Sequence, residues 1–137
     1  MAEAGYSGTP LEKKLGIEDG SRVGVFGAPV GFSLTVPTSS QARGTFDVIV
    51  SFHTERKHLE SRIPKLLEVL DVDGGLWMAW PKKAAKVPTD LTEDVQREIW
   101  LPLGLVDNKV CAIDDTWSGL RVVWRKERRA ELRAARA

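Results

Sequence analysis

The sequence predicts a single α/β domain in which helices cover a mostly parallel sheet. Strand-like and helix-like patterns alternate from residue 22 to residue 104, as they do when parallel strands are joined by right-handed crossovers. Two more strand patterns then follow with only a short loop between them, which is typical of an antiparallel hairpin. The length of 137 residues fits one domain of this kind.

The composition limits the cellular compartment and the binding partners that we expect for the protein. The net charge is +1, so no overall field attracts the protein to nucleic acid or to a membrane surface. Cys111 is the only cysteine, which excludes an internal disulfide and favours a reducing compartment. No apolar run reaches the roughly 18 residues of a membrane-spanning helix, and the first residues lack the pattern of a secretory signal. We therefore expect a cytoplasmic protein without a membrane partner.

The first third of the chain predicts short elements. We expect residues 1–9 to form a flexible arm, because they are small and polar. Residues 10–15 predict one or two helical turns that stop at Gly16. Residues 22–27 predict the first strand, and residues 34–36 predict a short second strand.

The middle of the chain predicts a strand, a helix and a second strand. The nearly continuous apolar run 46–52 predicts a strand that is buried on both faces. Thr54 is the expected N-cap of the following helix, and Pro64 is expected to kink or split it. Residues 73–75 predict a turn into the strand 76–80. The apolar residues at helical spacing are Leu59, Ile63, Leu66, Leu67 and Leu70.

The last third predicts a helix, the hairpin and a basic tail. Asp90 is the expected N-cap, and Glu93 completes a capping box three residues later. Strands are predicted at 105–113 and 120–125. Residues 126–137 predict a basic helical tail that we expect to be solvated. The expected buried stripe of the helix is Leu91, Val95 and Ile99.

This order of elements resembles the class I methyltransferase variant of the three-layer Rossmann-like fold, in which the last strand inserts antiparallel beside the strand that precedes it. Ligands of open α/β sheets bind at the carboxyl ends of the parallel strands. We expect a ligand site on that rim, built from Gly27, Ala28, Pro29, His53, Trp80, Pro81, Lys82, Lys83, Asp90, Thr92, Trp117 and Ser118.

The strongest chemical signal on the rim is a lysine pair. Lys82 and Lys83 follow the rigid Pro81 and precede a predicted helix start, and a cation near a helix N-terminus favours an anion or phosphate site. The alternative is an ordinary solvated loop. Trp80 and Trp117 are a candidate stacking platform for a ligand ring, although core packing is the alternative for each.

Signals for catalysis and metal binding are weak. The loop 27–31 has glycines four residues apart, which is not the spacing of a dinucleotide-binding loop, and its neighbourhood lacks an acidic residue for a ribose. Asp114 and Asp115 have no histidine beside them, so no metal and no catalytic residue is predicted. Cys111 is expected to be a small buried apolar side chain. The tail lacks the interleaved aromatic residues of a single-strand binder.

Four segments carry a resemblance to a known family. They are residues 5–11 (GYSGTPL), 80–83 (WPKK), 87–94 (VPTDLTED) and 114–120 (DDTWSGL). Together they resemble the bacterial domain-of-unknown-function family 3052 over about residues 5–125. The resemblance implies a bacterial, cytosolic protein and implies no reaction.

The leading hypothesis from the sequence is a binding module for a small anionic or nucleotide-type ligand, in which the motifs do not support catalysis. One alternative is a minimal methyltransferase that uses S-adenosylmethionine on the same rim. The other is a protein-interaction scaffold whose cofactor site is degenerate and whose partner is another protein.

Overall fold

The computed structural model describes residues 10–137, and the predicted arm at 1–9 lies outside them. The elements in chain order are α1 (Leu11–Lys14), β1 (Val23–Phe26), β2 (Phe46–Phe52), α2 (Arg56–Val69), β3 (Leu70–Pro81), α3 (Glu93–Trp100), β4 (Leu105–Ala112), β5 (Trp117–Trp124) and α4 (Lys126–Arg136). Short 3-10 turns at Lys83–Ala85 and Leu101–Leu103 flank α3.

The five strands form one sheet in the order β1-β2-β3-β5-β4. β1, β2 and β3 pair in parallel, whereas β5 pairs antiparallel with both β3 and β4. β4 therefore runs in the same direction as β3, and the last strand is inserted between them. This confirms the predicted Rossmann-like sheet of class I methyltransferase topology with its C-terminal antiparallel hairpin.

One face of the sheet is covered by helices, and we call it the helical face. Apolar side chains of α2 and α3 pack there against β2, β3 and β5, and Trp100 is fully buried among them. Burying a leucine, isoleucine or similar side chain stabilises the fold by about 1.5–3 kcal/mol. Leu59, Ile63, Leu66 and Leu67 are buried on α2 as the sequence predicts, whereas Leu70, the fifth residue of the predicted stripe, is buried as the first residue of β3.

The opposite face, which we call the loop face, is covered by α1 and by the irregular residues 28–36. Its buried cluster includes Leu15, Val50 and Trp77, and the indole Nε1 of Trp77 donates to the carbonyl of Leu15 at 3.0 Å. The strand predicted at 34–36 is wrong. Leu34 and Val36 pack onto the sheet face, so their alternation reflects contact with the sheet instead of pairing along its edge.

The chain after β1 reaches the outer edge of that strand at Ser39. The backbone N–H of Ser39 donates to Val23, and its carbonyl accepts from Val25. After β2, by contrast, the chain crosses the helical face through α2 and adds β3 on the other side. The two connections therefore diverge, which makes the carboxyl ends of β1 and β2 the topological switch point where such sheets bind ligands.

The start of α2 differs from the prediction. The helix begins at Arg56, and the N-cap is Glu55, which makes no side-chain capping bond. Thr54 is not the cap. The Oδ1 of Asp90 instead accepts from the backbone N–H of Arg56 at 2.7 Å, so a carboxylate distant in sequence satisfies the first turn.

The rest of α2 and its connection also differ. Pro64 does not split the helix, which is continuous from Arg56 to Val69. Pro64 lies on the exposed side, and the buried side chains on either side of it hold the helix on the sheet. Residues 73–75 are not a turn outside the strand. They belong to β3, which starts directly after α2 and pairs irregularly with β2 in this stretch.

The N-cap of α3 also differs from the predicted residue. Thr92 is the N-cap, and its Oγ1 accepts from the backbone N–H of Val95 at 3.1 Å. The predicted capping box of Asp90 and Glu93 is wrong, because Asp90 is engaged by α2 and Glu93 is the first helical residue. Asp90 lies just before α3 in the sequence, but in the structure its carboxylate binds the first turn of α2.

The basic tail forms the predicted helix, α4, but it is docked instead of solvated. Leu132 packs against the cluster of the helical face. The guanidinium of Arg136 donates to the carbonyls of Leu70 at 2.9 Å and Leu67 at 3.1 Å. A cation is thus placed at the C-terminus of α2, where it satisfies free carbonyls and the helix dipole. Arg133 adds an ion pair with Asp73.

Candidate functional site

The first candidate site is a cleft of about 610 Å³ between the end of β3 and the start of α3, here called the lysine cleft. Lys82 and Lys83 line one side of it, and the first turn of α3 lines the other. Trp80 and Leu91 contribute apolar walls, although the indole of Trp80 is largely buried, at 8% exposure. The cleft therefore combines an apolar wall with charged rims.

The two lysines carry the uncompensated positive charge of the cleft. The backbone N–H of Lys82 donates to the carbonyl of Thr116 at 2.8 Å, which fixes the end of the strand against the hairpin loop. Within residues 10–137, neither ammonium group has a carboxylate or hydrogen-bond partner. Both remain available to an anion from solution.

The opposite rim is acidic and organised by one arginine. The guanidinium of Arg97 contacts Glu93 at 3.0 Å, Asp94 at 3.1 Å and Asp107 at 3.0 Å. The hydrogen bond from Arg97 holds the pKa of Asp107 below its usual value. One cation against three carboxylates leaves this rim net negative, so a ligand in the cleft meets positive charge on one side and negative charge on the other.

The second candidate lies at the switch point, and we call it the arginine niche. It contains Ser51 and His53 at the end of β2, Arg62 of α2 and Gly27 after β1. The Oγ of Ser51 lies 2.7 Å from the Nε2 of His53. Burial, followed by the charge of Arg62, lowers the pKa of His53 to about 3. The imidazole, 4% exposed, is therefore neutral at pH 7.

Arg62 is half-buried and weakly bound. Its Nη1 lies 3.4 Å from the Oγ of Ser51 and 3.5 Å from the carbonyl of Phe52, and no carboxylate of residues 10–137 pairs with it. Gly27 adopts φ +68°, and a Cβ there would lie 2.7 Å from that Nη1. Only glycine fits this position. Arg62 was not predicted as a site residue, because nothing in its spacing on α2 marks it as different from other helix arginines.

The predicted rim residues separate into distinct places. The lysine cleft contains Trp80, Pro81, Lys82, Lys83 and Thr92, and the arginine niche contains Gly27 and His53. Pro29 and Trp117 instead line a cleft of about 590 Å³ that includes Phe32 of the loop face.

The remaining rim residues have structural positions. Asp90 is bound to the first turn of α2. Ser118 pairs with Trp80 across β5 and β3, and Ala28 is an exposed loop residue.

The proposed tryptophan platform is wrong. Trp80 belongs to the cluster of the helical face, whereas Trp117 packs on the loop face. The ring of Trp117 meets that of Phe52 edge-on, with centroids 5.0 Å apart. Because Trp80 pairs with Ser118 and successive strand residues point to opposite faces, residue 117 lies on the face opposite to Trp80.

Two further expectations concern Cys111 and Asp114. Cys111 is half-buried on the edge strand β4 instead of fully buried, and burial raises the pKa of its thiol. The Oδ1 of Asp114 accepts from the backbone N–H groups of Thr116 and Trp117, both at 2.8 Å, and so shapes the hairpin turn. No cluster of three or more potential metal ligands occurs in residues 10–137. In the same part of the chain, no helix is long and apolar enough to cross a membrane.

Comparison with known proteins finds only distant structural similarity. The sequence matches no protein-family model and no curated protein. A ribosomal protein L11 methylase from Lactobacillus delbrueckii subsp. bulgaricus is a similar solved structure, with 16% identity over 66% of this chain and 45% of that chain, and a TM-score of 0.44. A protein assigned as a type 11 methyltransferase from Sulfolobus solfataricus has 14% identity over 65% of this chain and 58% of its own, with a TM-score of 0.46. The chain thus spans about half the length of these two proteins.

Proposed function

We propose that this protein is a binding module for a small anionic ligand of nucleotide type, held in the lysine cleft. The observation that carries the proposal is the pair of ammonium groups, Lys82 and Lys83, which have no partner among residues 10–137 and line the same cleft as the first turn of α3. Phosphate groups are favoured where such cations meet a helix N-terminus. The volume of about 610 Å³ lies within the range of small-ligand pockets.

The acidic rim determines how such a ligand would lie. Glu93 and Asp94 repel a phosphate, but their carboxylates accept hydrogen bonds from hydroxyl and amino groups. The phosphate end therefore belongs beside the lysines, and a sugar or base belongs beside the start of α3. Trp80 and Leu91 supply the apolar wall for that part of the ligand.

The methyltransferase alternative receives less support. S-adenosylmethionine is the cofactor that this fold implies, and its site would be the switch point beyond β1. There a Cβ on Gly27 would lie 2.7 Å from Arg62 and 3.0 Å from the carbonyl of Phe52, so these two groups lie close to the backbone that the cofactor would approach. Residues 27–45 contain no aspartate or glutamate to bind ribose hydroxyls. The residues do not fit the cofactor, and we derive no reaction through it.

We also propose that the chain belongs to family 3052, and with it that the protein is bacterial and cytosolic. Two of the four segments that carry the resemblance, 80–83 and 87–94, supply most of the lining of the lysine cleft. A family motif that coincides with a cleft is the pattern expected of a shared ligand.

The test is a binding measurement with ATP, ADP, inorganic phosphate and S-adenosylhomocysteine, by calorimetry and by thermal unfolding. A nucleotide at about 100 times its dissociation constant stabilises a protein by about 2.7 kcal/mol. We expect Lys82→Ala and Lys83→Ala each to weaken ATP binding by about tenfold, which is about 1.4 kcal/mol. Lys109→Ala is the matched control, because this exposed lysine lies outside the cleft.

Three outcomes would contradict the proposal. Nucleotide binding that is unchanged in the Lys82→Ala, Lys83→Ala double variant would place the ligand elsewhere. Stabilisation by S-adenosylhomocysteine that is lost in Gly27→Val would favour the methyltransferase alternative. The absence of any response to all four compounds would favour the interaction scaffold with a degenerate cofactor site.

A further inference from the structure

The arginine niche contains two polar groups whose bonding is incomplete. Within the described residues 10–137, the guanidinium of Arg62 makes two long contacts, at 3.4 and 3.5 Å. The Nδ1 of His53 is buried and has no hydrogen-bond partner among residues 10–137. A half-buried charge and a buried polar atom are both unfavourable when they are unpaired. The hydroxyl of Ser51 lies close to both residues, at 2.7 Å from the Nε2 of His53 and 3.4 Å from the Nη1 of Arg62, so one further partner could serve both groups.

Hydrogen-bond counting determines what that partner must be. Ser51 is fully buried, and in the part of the chain that the structure describes its hydroxyl has two hydrogen-bond partners, Arg62 and His53. Arg62 can only donate, so the hydroxyl hydrogen of Ser51 is satisfied only when it is donated to the Nε2 of His53. In a neutral imidazole the proton is then on Nδ1. The niche therefore presents the Nδ1–H of His53 and the N–H groups of Arg62, all of which are donors, to an absent acceptor.

We propose that the arginine niche is a second ligand site, distinct from the lysine cleft, that binds one oxyanion group between Arg62 and the Nδ1–H of His53. The fork of a guanidinium matches a carboxylate or phosphate in a two-point contact. Gly27 is favoured at this position because its φ is +68° and a Cβ would lie 3.0 Å from the carbonyl of Phe52, in addition to its close approach to Arg62. The site lies at the switch point between β1 and β2, where α/β sheets bind ligands.

The test is a nuclear magnetic resonance titration of the full-length protein labelled with ¹⁵N, with sodium acetate and inorganic phosphate as the two probes. Before addition, the imidazole spectrum should show His53 as the neutral Nδ1–H tautomer. We expect saturable shifts of the His53 Nδ1–H and Arg62 Nε–H signals with at least one probe. A preference for acetate would identify a planar carboxylate as the natural group, and a preference for phosphate would identify a tetrahedral one.

Variants separate this site from a merely structural arginine. Arg62→Met should weaken the anion affinity, measured at the His53 signal, by at least tenfold, and Arg62→Lys should weaken it less because the charge remains. Lys65→Gln, an exposed position on the same helix, should leave it unchanged. If Arg62→Met unfolds the protein, Arg62→Lys carries the test. A purely structural arginine would change thermal stability on substitution and would give no anion response in the natural protein.

A lysine variant distinguishes anion binding in the arginine niche from ligand binding in the lysine cleft. The double variant Lys82→Ala, Lys83→Ala should keep the shifts at His53 and Arg62. If the niche signals do not respond to either probe, if they respond equally in Arg62→Met, or if they disappear in the lysine double variant, the niche is not an independent oxyanion site. An Nε2–H tautomer for His53 in the anion-free protein would also overturn the proposal.

Discussion

The two faces of the sheet are covered in different ways. On the helical face, α2, α3 and α4 satisfy most of their own backbone groups and contribute stripes of apolar side chains. On the loop face, α1 and the irregular residues 28–36 are held by a few side-chain bonds. The indole of Trp77 donates to the carbonyl of Leu15 at the end of α1, and Glu12 of α1 accepts from Thr35 in the irregular segment. Irregular chain can thus cover a sheet when specific tethers replace regular hydrogen bonding.

The faces also differ in what they offer to a ligand. The helical face supplies both candidate sites, because helix starts and helix side chains bring Lys82, Lys83, Thr92 and Arg62 to the carboxyl ends of the strands. At the same rim, the loop face presents mainly aromatic side chains that contact one another. The ring of Phe52 packs against those of Phe32 and Trp117. Both proposed ligand sites therefore lie on the helical face, whereas the aromatic contacts of the loop face stabilise the rim.

The largest expected effect comes from the indole that holds the loop face. Trp77→Ala should lower the free energy of unfolding by about 3–5 kcal/mol, because Trp77 is fully buried and its removal also leaves the Leu15 carbonyl without a donor. Trp124→Ala is the matched control on the helical face, since the Nε1 of Trp124 has no partner in residues 10–137. Urea denaturation should show a larger loss for Trp77→Ala, by about 1 kcal/mol. Equal losses would mean that the tether contributes nothing.

The next effect concerns His53 on the helical face. Its pKa falls from 6.5 to about 3 on folding, so the unfolded chain binds the proton more readily than the folded protein. Stability is therefore fully present above about pH 6.5 and decreases as the pH falls towards 3, by about 2 kcal/mol at pH 5.

Urea denaturation at pH 7 and pH 5 should reveal this loss in the natural protein. His53→Gln should remove most of the difference between the two pH values, whereas His58→Gln should retain it, because His58 is exposed. A natural protein that is equally stable at both pH values would contradict a buried neutral His53.

The smallest expected loss of stability comes from a comparison of two glutamates, one that holds a loop and one in an exposed ion pair on a helix. The Oε2 of Glu12 accepts from the backbone N–H and the hydroxyl of Thr35, both at 2.8 Å. Glu12→Gln should cost about 1 kcal/mol. Glu60→Gln removes only an exposed i,i+4 contact with Arg56 and should cost about 0–0.5 kcal/mol. Thermal unfolding at pH 7 measures both. A larger loss for Glu60→Gln would show that the helical face depends on its surface charges.

Several elements were predictable because their signals are local. The apolar run 46–52, the helical spacing of leucines in α2, and the short loop of the β4–β5 hairpin each reflect the environment of neighbouring residues in the chain. Capping was less predictable. Asp90 and Thr92 are both good N-cap residues, and only the approach of the α2 N-terminus to Asp90 decides which one caps α3.

The candidate sites were predictable to different degrees. Lys82, Lys83 and Trp80 are close in sequence and remain together in the lysine cleft. Trp117 does not join them, because the side of a strand on which a residue lies depends on pairing register, which a hairpin sequence fixes only to within a residue. Arg62 was not predictable as a site residue, because only tertiary contacts distinguish it. No carboxylate of residues 10–137 pairs with it, and Gly27 approaches it closely.

The sequence by itself determined the order of strands and helices, the parallel sheet with its final antiparallel pair, and the lysine pair at the end of β3. Periodicity and turn residues determine such features within short windows of chain. The tertiary structure alone decided the path of residues 28–45, the docking of α4 on the helical face and the approach of Arg62 to Ser51. Each of these depends on contacts between segments distant in sequence, and no local pattern specifies which distant groups will meet.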